Sequence, residues 1–204
     1  MEFIRRPDRR PARLGILPGT FNPVTVAHVA LGRAALGHVD EVLYALPRTF
    51  PHKSFTGATF DERIEMLLAA LEGEPAFSIA AVEGGLFTEI AEECRREYGE
   101  SVRLAFLCGR DAAERIVGWD YGSPGAIAGI LMRFELLVAG RGGEYRIPDE
   151  FRGAIRPLEL GEACDDVSAT EVRRRIASGE PWEHLVPPRA VNRARRTYSN
   201  PPGY

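Results

Sequence analysis

Residues 14–28 read LGILPGTFNPVTVAH, an apolar run followed by turn-forming residues and then by the start of a helical pattern. The run LGIL (14–17) is apolar throughout, as in a strand that is buried on both faces. Gly19 permits a close backbone approach, Pro23 favours an extended turn, and Thr25 is suited to cap a helix. The stretch predicts a strand, a tight loop and a helix, in which the loop either turns the chain or holds an anion at the free N–H groups of the helix.

The same alternation continues along the chain. Four more apolar runs predict strands at EVLYAL (41–46), FSIAAV (77–82), VRLAFLC (102–108) and FELLVA (134–139). Segments of helical period predict helices at about 26–36, 60–71, 87–98, 110–118 and 124–131. Strands that alternate with helices indicate βαβ units with right-handed crossovers. We therefore expect an α/β fold, a Rossmann-like doubly wound parallel sheet, with its ligands beyond the carboxyl ends of the strands.

We expect the 204 residues to divide into three segments. Residues 1–13 carry five arginines with no following signal-peptide core, so we expect a flexible, solvated leader. Residues 14–164 form the predicted α/β core. Residues 165–204 read as helices only and are expected to be a C-terminal helical extension of the same domain. Its basic helix, which we expect to be solvated but which could instead face a second subunit, contains Arg189, Arg193, Arg195 and Arg196.

Composition excludes several classes of protein. A net charge of −3 gives no general affinity for nucleic acid or anionic membranes, and no apolar run approaches the roughly 18 residues of a membrane helix. We expect a cytoplasmic protein without nucleic-acid or membrane partners. Cys94, Cys108 and Cys164 match neither a zinc pattern nor a redox pair, so we expect small buried or half-buried residues rather than nucleophiles.

Three further segments follow predicted strands or begin a predicted helix. In VSATEVRRRI (167–176), Ser168 or Thr170 can cap a helix in which Arg173 turns back toward the helix start, while the two following arginines suit a solvated face. Lys53 in LPRTFPHK (46–53) would emerge at the carboxyl edge of the sheet, unless it is an ordinary loop charge. Asp111 in CGRDAAERIVGW (108–119) could accept from ribose hydroxyls, and Trp119 could stack on a flat ring or lie in the core.

Together these segments resemble the nucleotidylyltransferase superfamily, and most closely the bacterial nicotinate mononucleotide adenylyltransferase family, from about residue 14 to residue 198. The motifs that carry the resemblance are G-[TS]-F-[DN]-P-x-[HT]-x-x-H, here residues 19–28, and I-S-[SA]-T-x-[IV]-R, here residues 167–173. The segments 51–53, 87–88, 108–111 and Trp119 resemble further family features, of which the pair at 87–88 and Trp119 are the less specific.

The resemblance implies roles for individual residues. ATP would be bound by Gly19, Thr20, Phe21, Asn22, Thr25, His28, Gly109, Asp111, Ser168, Thr170 and Arg173. The acceptor would be bound by Lys53, Phe87, Thr88 and Trp119. The catalytic residues would be His28, Lys53 and Arg173. No cluster of carboxylates suggests a dedicated metal cage, so the implied Mg²⁺ would be carried by the ATP phosphates.

The implied reaction is the transfer of AMP from ATP to nicotinate mononucleotide, giving deamido-NAD and pyrophosphate. Two positions depart from the usual pattern: Thr25 stands where the bacterial nicotinate enzymes usually carry His, and Asn22 where they carry Asp. Because Thr at that position resembles enzymes for other acceptors, nicotinamide mononucleotide and pantetheine phosphate stay open as alternatives. A catalytically silent nucleotide-binding module is the alternative from another class. The sequence leaves a homo-oligomer possible.

Overall fold

A computed structural model describes residues 1–8, 10–49, 57–123, 125–140, 145–160, 164 and 166–199. The strands are β1 (Glu2–Arg5), β2 (Arg13–Pro18), β3 (Glu41–Pro47), β4 (Phe77–Val82), β5 (Arg103–Gly109), β6 (Glu135–Ala139) and β7 (Ile155–Leu158). The α-helices are α1 (Val26–Ala35), α2 (Phe60–Ala70), α3 (Phe87–Tyr98), α4 (Arg110–Gly118), α5 (Ala126–Leu131), α6 (Ala169–Ser178) and α7 (Val191–Ser199). No helix among these residues is long and apolar enough to cross a membrane.

The strands form one sheet in the order β1-β4-β3-β2-β5-β6-β7, and β2 to β7 all run parallel. The predicted doubly wound fold is therefore confirmed. From β2 the chain winds outward through β3 and β4, and it then returns to add β5, β6 and β7 on the other side of β2. The topological switch point thus lies between β2 and β5, where open α/β sheets place their ligands.

Helices cover both faces of the sheet, which explains why the strands are apolar nearly throughout. In β3, Val42, Tyr44 and Leu46 join the core cluster that also contains buried residues of α1, α2 and the C-terminal segment. Leu43 and Ala45 point the other way, into the cluster beneath α3, α4 and α5. Cys94, Cys108 and Cys164 are buried, as expected, and all three are free thiols.

The expectation of a flexible, solvated leader is wrong for residues 2–5. Glu2–Arg5 pair antiparallel with β4 and form one edge of the sheet. Arg5 holds this strand in place, because its guanidinium donates to the backbone carbonyls of Leu71, Glu74 and Phe77 at 2.7 to 3.1 Å. A charged residue that looked solvated in the sequence thus ties the edge strand to the turn that precedes β4.

We expect Arg5→Ala to lower the free energy of unfolding by about 2 to 3 kcal/mol, because three part-buried carbonyls lose a charged donor. The effect should stay local to this edge of the sheet, since β1 is separated from β2 by β4 and β3. Denaturant unfolding with Arg10→Ala, an exposed arginine of the same segment, provides the control. Equal unfolding free energies for the two variants would contradict the structural role of Arg5.

The edge strand β7 was also not predicted. Ile155–Leu158 pair parallel with β6, and the sequence IRPL buries only its two ends. Trp182, Leu185 and Ala194 of the C-terminal segment belong to the core cluster on the α1 side.

Candidate active site

The loop after β2 leaves the sheet at the switch point and folds back on itself. The Gly19 N–H donates to the Ala45 carbonyl at 3.1 Å, which anchors the loop to the end of β3. Phe21 adopts a left-handed backbone conformation (φ 46°) with its side chain only 1% exposed. Its ring packs edge-on against His28, with 5.2 Å between centroids, and a Cβ on Gly19 would lie 3.0 Å from this ring. A side chain at residue 19 would therefore fit only if the ring of Phe21 moved slightly.

Thr25 caps α1, as predicted, and His28 lies in its first turn. The Thr25 N–H donates to His28 Nδ1 at 3.0 Å, and Thr25 Oγ1 lies 2.8 Å from the same nitrogen. Because a backbone N–H can only donate, Nδ1 must be the accepting nitrogen of a neutral imidazole, and the ring proton is on Nε2. His28 is half-buried, and in this tautomer the donor of its ring is Nε2–H.

Thr25 itself is fully buried. Its hydroxyl contacts the imidazole of His28, so the side chain at this position supports His28 from below rather than pointing outward. The family resemblance implies that Thr25 binds ATP, and this stays a prediction. In the structure its buried side chain contacts His28, which gives it a supporting position.

The start of α6 reaches the same loop. Ser168 caps the helix, and its hydroxyl accepts from the Glu171 N–H at 3.1 Å. Arg173 lies one turn further on, and its guanidinium donates to the backbone carbonyl of Asn22 and, at 3.4 Å, to the hydroxyl of Thr170. Arg173 therefore points back toward the helix start and touches the loop after β2, as its spacing predicts.

The two following arginines form an ion-pair cluster on the surface. Arg174 pairs with Glu171 and Glu180, and Arg175 with Glu171. These contacts lower the pKa of the Glu171 and Glu180 carboxyls to about 2, well below the ordinary value for a glutamate. Arg173 differs from them by its contact with the loop.

The segment after β5 lies on the other side of the switch point. Gly109 caps α4 and Asp111 is in its first turn, with a side chain that is 85% exposed. Trp119 follows the last residue of α4 and is 64% exposed. It borders a surface depression of about 500 Å³ that is also lined by Asp111, Glu114 and Arg115. Of the two alternatives for Trp119, the core position is excluded by this exposure.

The structure describes only some of the residues that are predicted to bind the acceptor substrate. Phe87 begins α3, and its ring stacks on that of Phe106 with 4.4 Å between the centroids, so the side chain packs in the core. The first backbone N–H groups of α3 have no acceptors within the helix. Thr88 follows it in the first turn and is half-buried. Lys53 lies outside the described residues. Among the described residues, no group of three or more His, Cys, Asp and Glu side chains could hold a metal ion.

Two residues at the loop were missed in the sequence. Arg63 of α2 is only 5% exposed and donates to the Thr20 carbonyl at 3.1 Å. Tyr198 of α7 donates its hydroxyl to Asn22 Oδ1. Both come from helices whose sequence patterns contain no signal of a contact with this loop, because the partners are 43 and 176 residues away along the chain.

A parallel sheet whose switch-point loop caps a helix and lies beside a histidine and an arginine is typical of nucleotide-binding α/β proteins. The chain belongs to the cytidylyltransferase-like family, whose model matches residues 16–175.

Several known proteins are similar to this chain over most of its length. Each of three proteins named "Probable nicotinate-nucleotide adenylyltransferase" aligns with most of this chain. The protein of Gloeobacter violaceus is 30% identical over 94% of this chain and 98% of its own length. That of Solibacter usitatus is 32% identical over 86% and 93%, and that of Stenotrophomonas maltophilia 31% identical over 83% and 88%.

The fold agrees with a solved structure of low sequence identity. The nicotinic acid mononucleotide adenylyltransferase of Plasmodium falciparum, solved in complex with NaAD, superposes with a TM-score of 0.70 over 90% of this chain and 95% of its own. The identity is 15%, so this likeness concerns the fold.

Proposed function

We propose that the protein transfers AMP from ATP to nicotinate mononucleotide, giving deamido-NAD and pyrophosphate, a step of NAD biosynthesis. The observation that carries this proposal is the contact between Arg173 and Asn22, which joins the start of α6 to the loop before α1 at the switch point. Two helix N-termini, a histidine and an arginine then serve one anionic ligand. The names of the relatives that align with nearly the whole chain agree with this reaction.

In the proposed reaction, an oxygen of the 5′-phosphate of nicotinate mononucleotide attacks the α-phosphorus of ATP in line. A new P–O bond forms, the bond from the α-phosphorus to the bridging oxygen breaks, and its electron pair leaves with pyrophosphate. No covalent enzyme intermediate is required. The protein contributes by positioning the two phosphates and by neutralising the charge that develops on them.

We assign the ATP phosphates to the residues around the loop. His28 donates through Nε2–H, since Nδ1 is occupied by the Thr25 N–H. Arg173 donates from α6, and the N–H groups at the start of both helices add partial positive charge. Lys53 is proposed to face the reacting phosphates from the segment after β3. Asp111 and Gly109, across the switch point, are proposed to meet the ribose of the adenosine.

Mg²⁺ is proposed to arrive with ATP. The described residues offer no carboxylate cage, and Mg²⁺ is commonly held by substrate phosphates and water with few protein ligands. When bound, the ion would neutralise charge on the phosphates that become pyrophosphate.

Thr25 has less bearing on the acceptor than its position in the motif suggests. Its side chain is fully buried and contacts His28, so we propose that this departure from the usual pattern acts through the support of His28 rather than at the acceptor site. The exposed Trp119 offers a stacking face for a pyridine ring. These two observations favour nicotinate mononucleotide over pantetheine phosphate, which has no aromatic ring to stack.

Release of pyrophosphate from ATP tests the proposal with three acceptors in parallel: nicotinate mononucleotide, nicotinamide mononucleotide and pantetheine phosphate. We expect the highest kcat/KM with nicotinate mononucleotide. A higher value with either other acceptor would replace the substrate assignment. Tight binding of ATP without release for any acceptor would indicate the silent nucleotide-binding module.

Trp119→Ala tests the acceptor site. We expect it to raise KM for nicotinate mononucleotide about 10-fold, because loss of one aromatic stacking partner costs roughly 1 to 3 kcal/mol. KM for ATP and the thermal midpoint should not change, since the side chain is 64% exposed. Met132→Ala, which removes a side chain that is 89% exposed, is the control and should behave as wild type. An unchanged KM for the acceptor in Trp119→Ala would remove this residue from the site.

A further inference from the structure

Asn22 is the point where four parts of the chain meet. Its backbone carbonyl accepts from Arg173 of α6, and its side-chain oxygen accepts from the Tyr198 hydroxyl of α7. The same Oδ1 also accepts from the Ala58 N–H at 3.3 Å, just before α2 begins. Asn22 is only 4% exposed, so these contacts are made away from solvent.

The backbone at residue 57 packs closely against Asn22 and Tyr198. Gly57 has a positive φ of 112°, and a Cβ there would lie 3.2 Å from Asn22 Oδ1 and 3.3 Å from a ring carbon of Tyr198. A side chain at residue 57 would therefore be strained by this φ and would press against Asn22 and Tyr198.

The hydroxyl of Tyr198 is a dependable donor. Burial raises its pKa above the ordinary value for a tyrosine, so the phenol stays protonated at neutral pH. The positive charges of Arg173 and Arg63 are near it and act in the opposite direction, but burial is the larger effect. The hydrogen bond to Asn22 thus joins a neutral donor to a neutral amide oxygen.

We propose that Tyr198 is a positioning residue, whose hydroxyl holds Asn22 and thereby sets the loop of residues 19–25 against Arg173. The inference rests on the proposed function, in which this loop binds the ATP phosphates. Tyr198 acts through Asn22 and touches no reacting atom. The C-terminal helix, which the family model does not include, then contributes to the organisation of the phosphate site.

The test uses Tyr198→Phe, which removes one oxygen atom and keeps the ring. We expect kcat/KM for ATP to fall about 5- to 10-fold, as for the loss of one hydrogen bond that orders the site. Thr197→Val is the matched control, because it removes a hydroxyl from the adjacent residue that donates to Glu62 at 3.2 Å. The control should keep wild-type kinetics, and both variants should have similar thermal midpoints.

A double-mutant cycle with Asn22→Ala separates positioning from simple helix packing. If Tyr198 acts through Asn22, the double variant should be no slower than Asn22→Ala alone. Losses that multiply in the double variant, or a Tyr198→Phe enzyme as active as Thr197→Val, would overturn the inference.

Binding of ATP measured by calorimetry without an acceptor keeps this test independent of the proposed reaction. If wild type releases no pyrophosphate with any acceptor, the proposed function fails, while the affinity for ATP still reports on the loop. Weaker binding by Tyr198→Phe than by Thr197→Val would then support the positioning role, and equal binding would overturn it.

Discussion

His28→Ala should lower kcat about 10²- to 10³-fold, the typical effect of losing one preorganised donor to a developing charge. The donor is preorganised here because Thr25 fixes both the tautomer and the ring orientation of His28. Water could replace the missing imidazole, but it would not be held at the same place. Steady-state pyrophosphate release, with binding of ATP measured separately, distinguishes loss of rate from loss of substrate.

The tautomer makes a sharper comparison possible. The amide nitrogen of glutamine lies near the position of Nε2 in histidine, while that of asparagine lies near Nδ1. Because His28 is assigned to donate through Nε2–H, His28→Gln should retain more activity than His28→Asn. The reverse order would contradict the assignment of the donating nitrogen.

His38→Ala is the control for this series, since His38 is exposed just beyond the other end of α1. It should have wild-type kcat. A near-wild-type kcat for His28→Ala would remove His28 from the catalytic residues.

The sequence predicted the central sheet well because its information is local. Strands buried on both faces are apolar in nearly every position, as in β3, and the helices between them keep their own period. The edge strands gave no such signal. β1 and β7 are four residues each, are partly exposed, and contain Arg5 and Pro157, so their pairing depends on contacts made by distant parts of the chain.

In the candidate site, too, local sequence features could be predicted and contacts between distant parts of the chain could not. Ser168, Thr25 and His28 belong to short motifs at helix starts, where capping and the direction of side chains follow from spacing. Arg63 and Tyr198 are residues of ordinary helical segments, and only the packing of α2 and α7 brings them to the loop. The burial of Thr25 could not be predicted from the sequence either, because the motif specifies the type of residue and not the exposure of its side chain.

Arg173→Ala should lower kcat about 10²-fold and should weaken binding of ATP as well. The guanidinium is expected to donate to phosphate oxygens while another of its N–H groups holds the Asn22 carbonyl, so its loss removes a charge and loosens the loop. Arg173→Lys should recover only part of the activity, because an ammonium keeps the charge but lacks the planar fork that serves two acceptors at once.

Arg174→Ala is the matched control for this pair, since it removes an arginine from the next position of the same helix. Arg174 is bound to Glu171 and Glu180 on the surface, and exposed ion pairs contribute little to stability. Its variant should keep wild-type kcat and affinity for ATP. Equal losses in the two alanine variants would mean that α6 contributes a general positive field. A loss confined to Arg173 would mean that position on the helix, rather than charge alone, selects the arginine that acts.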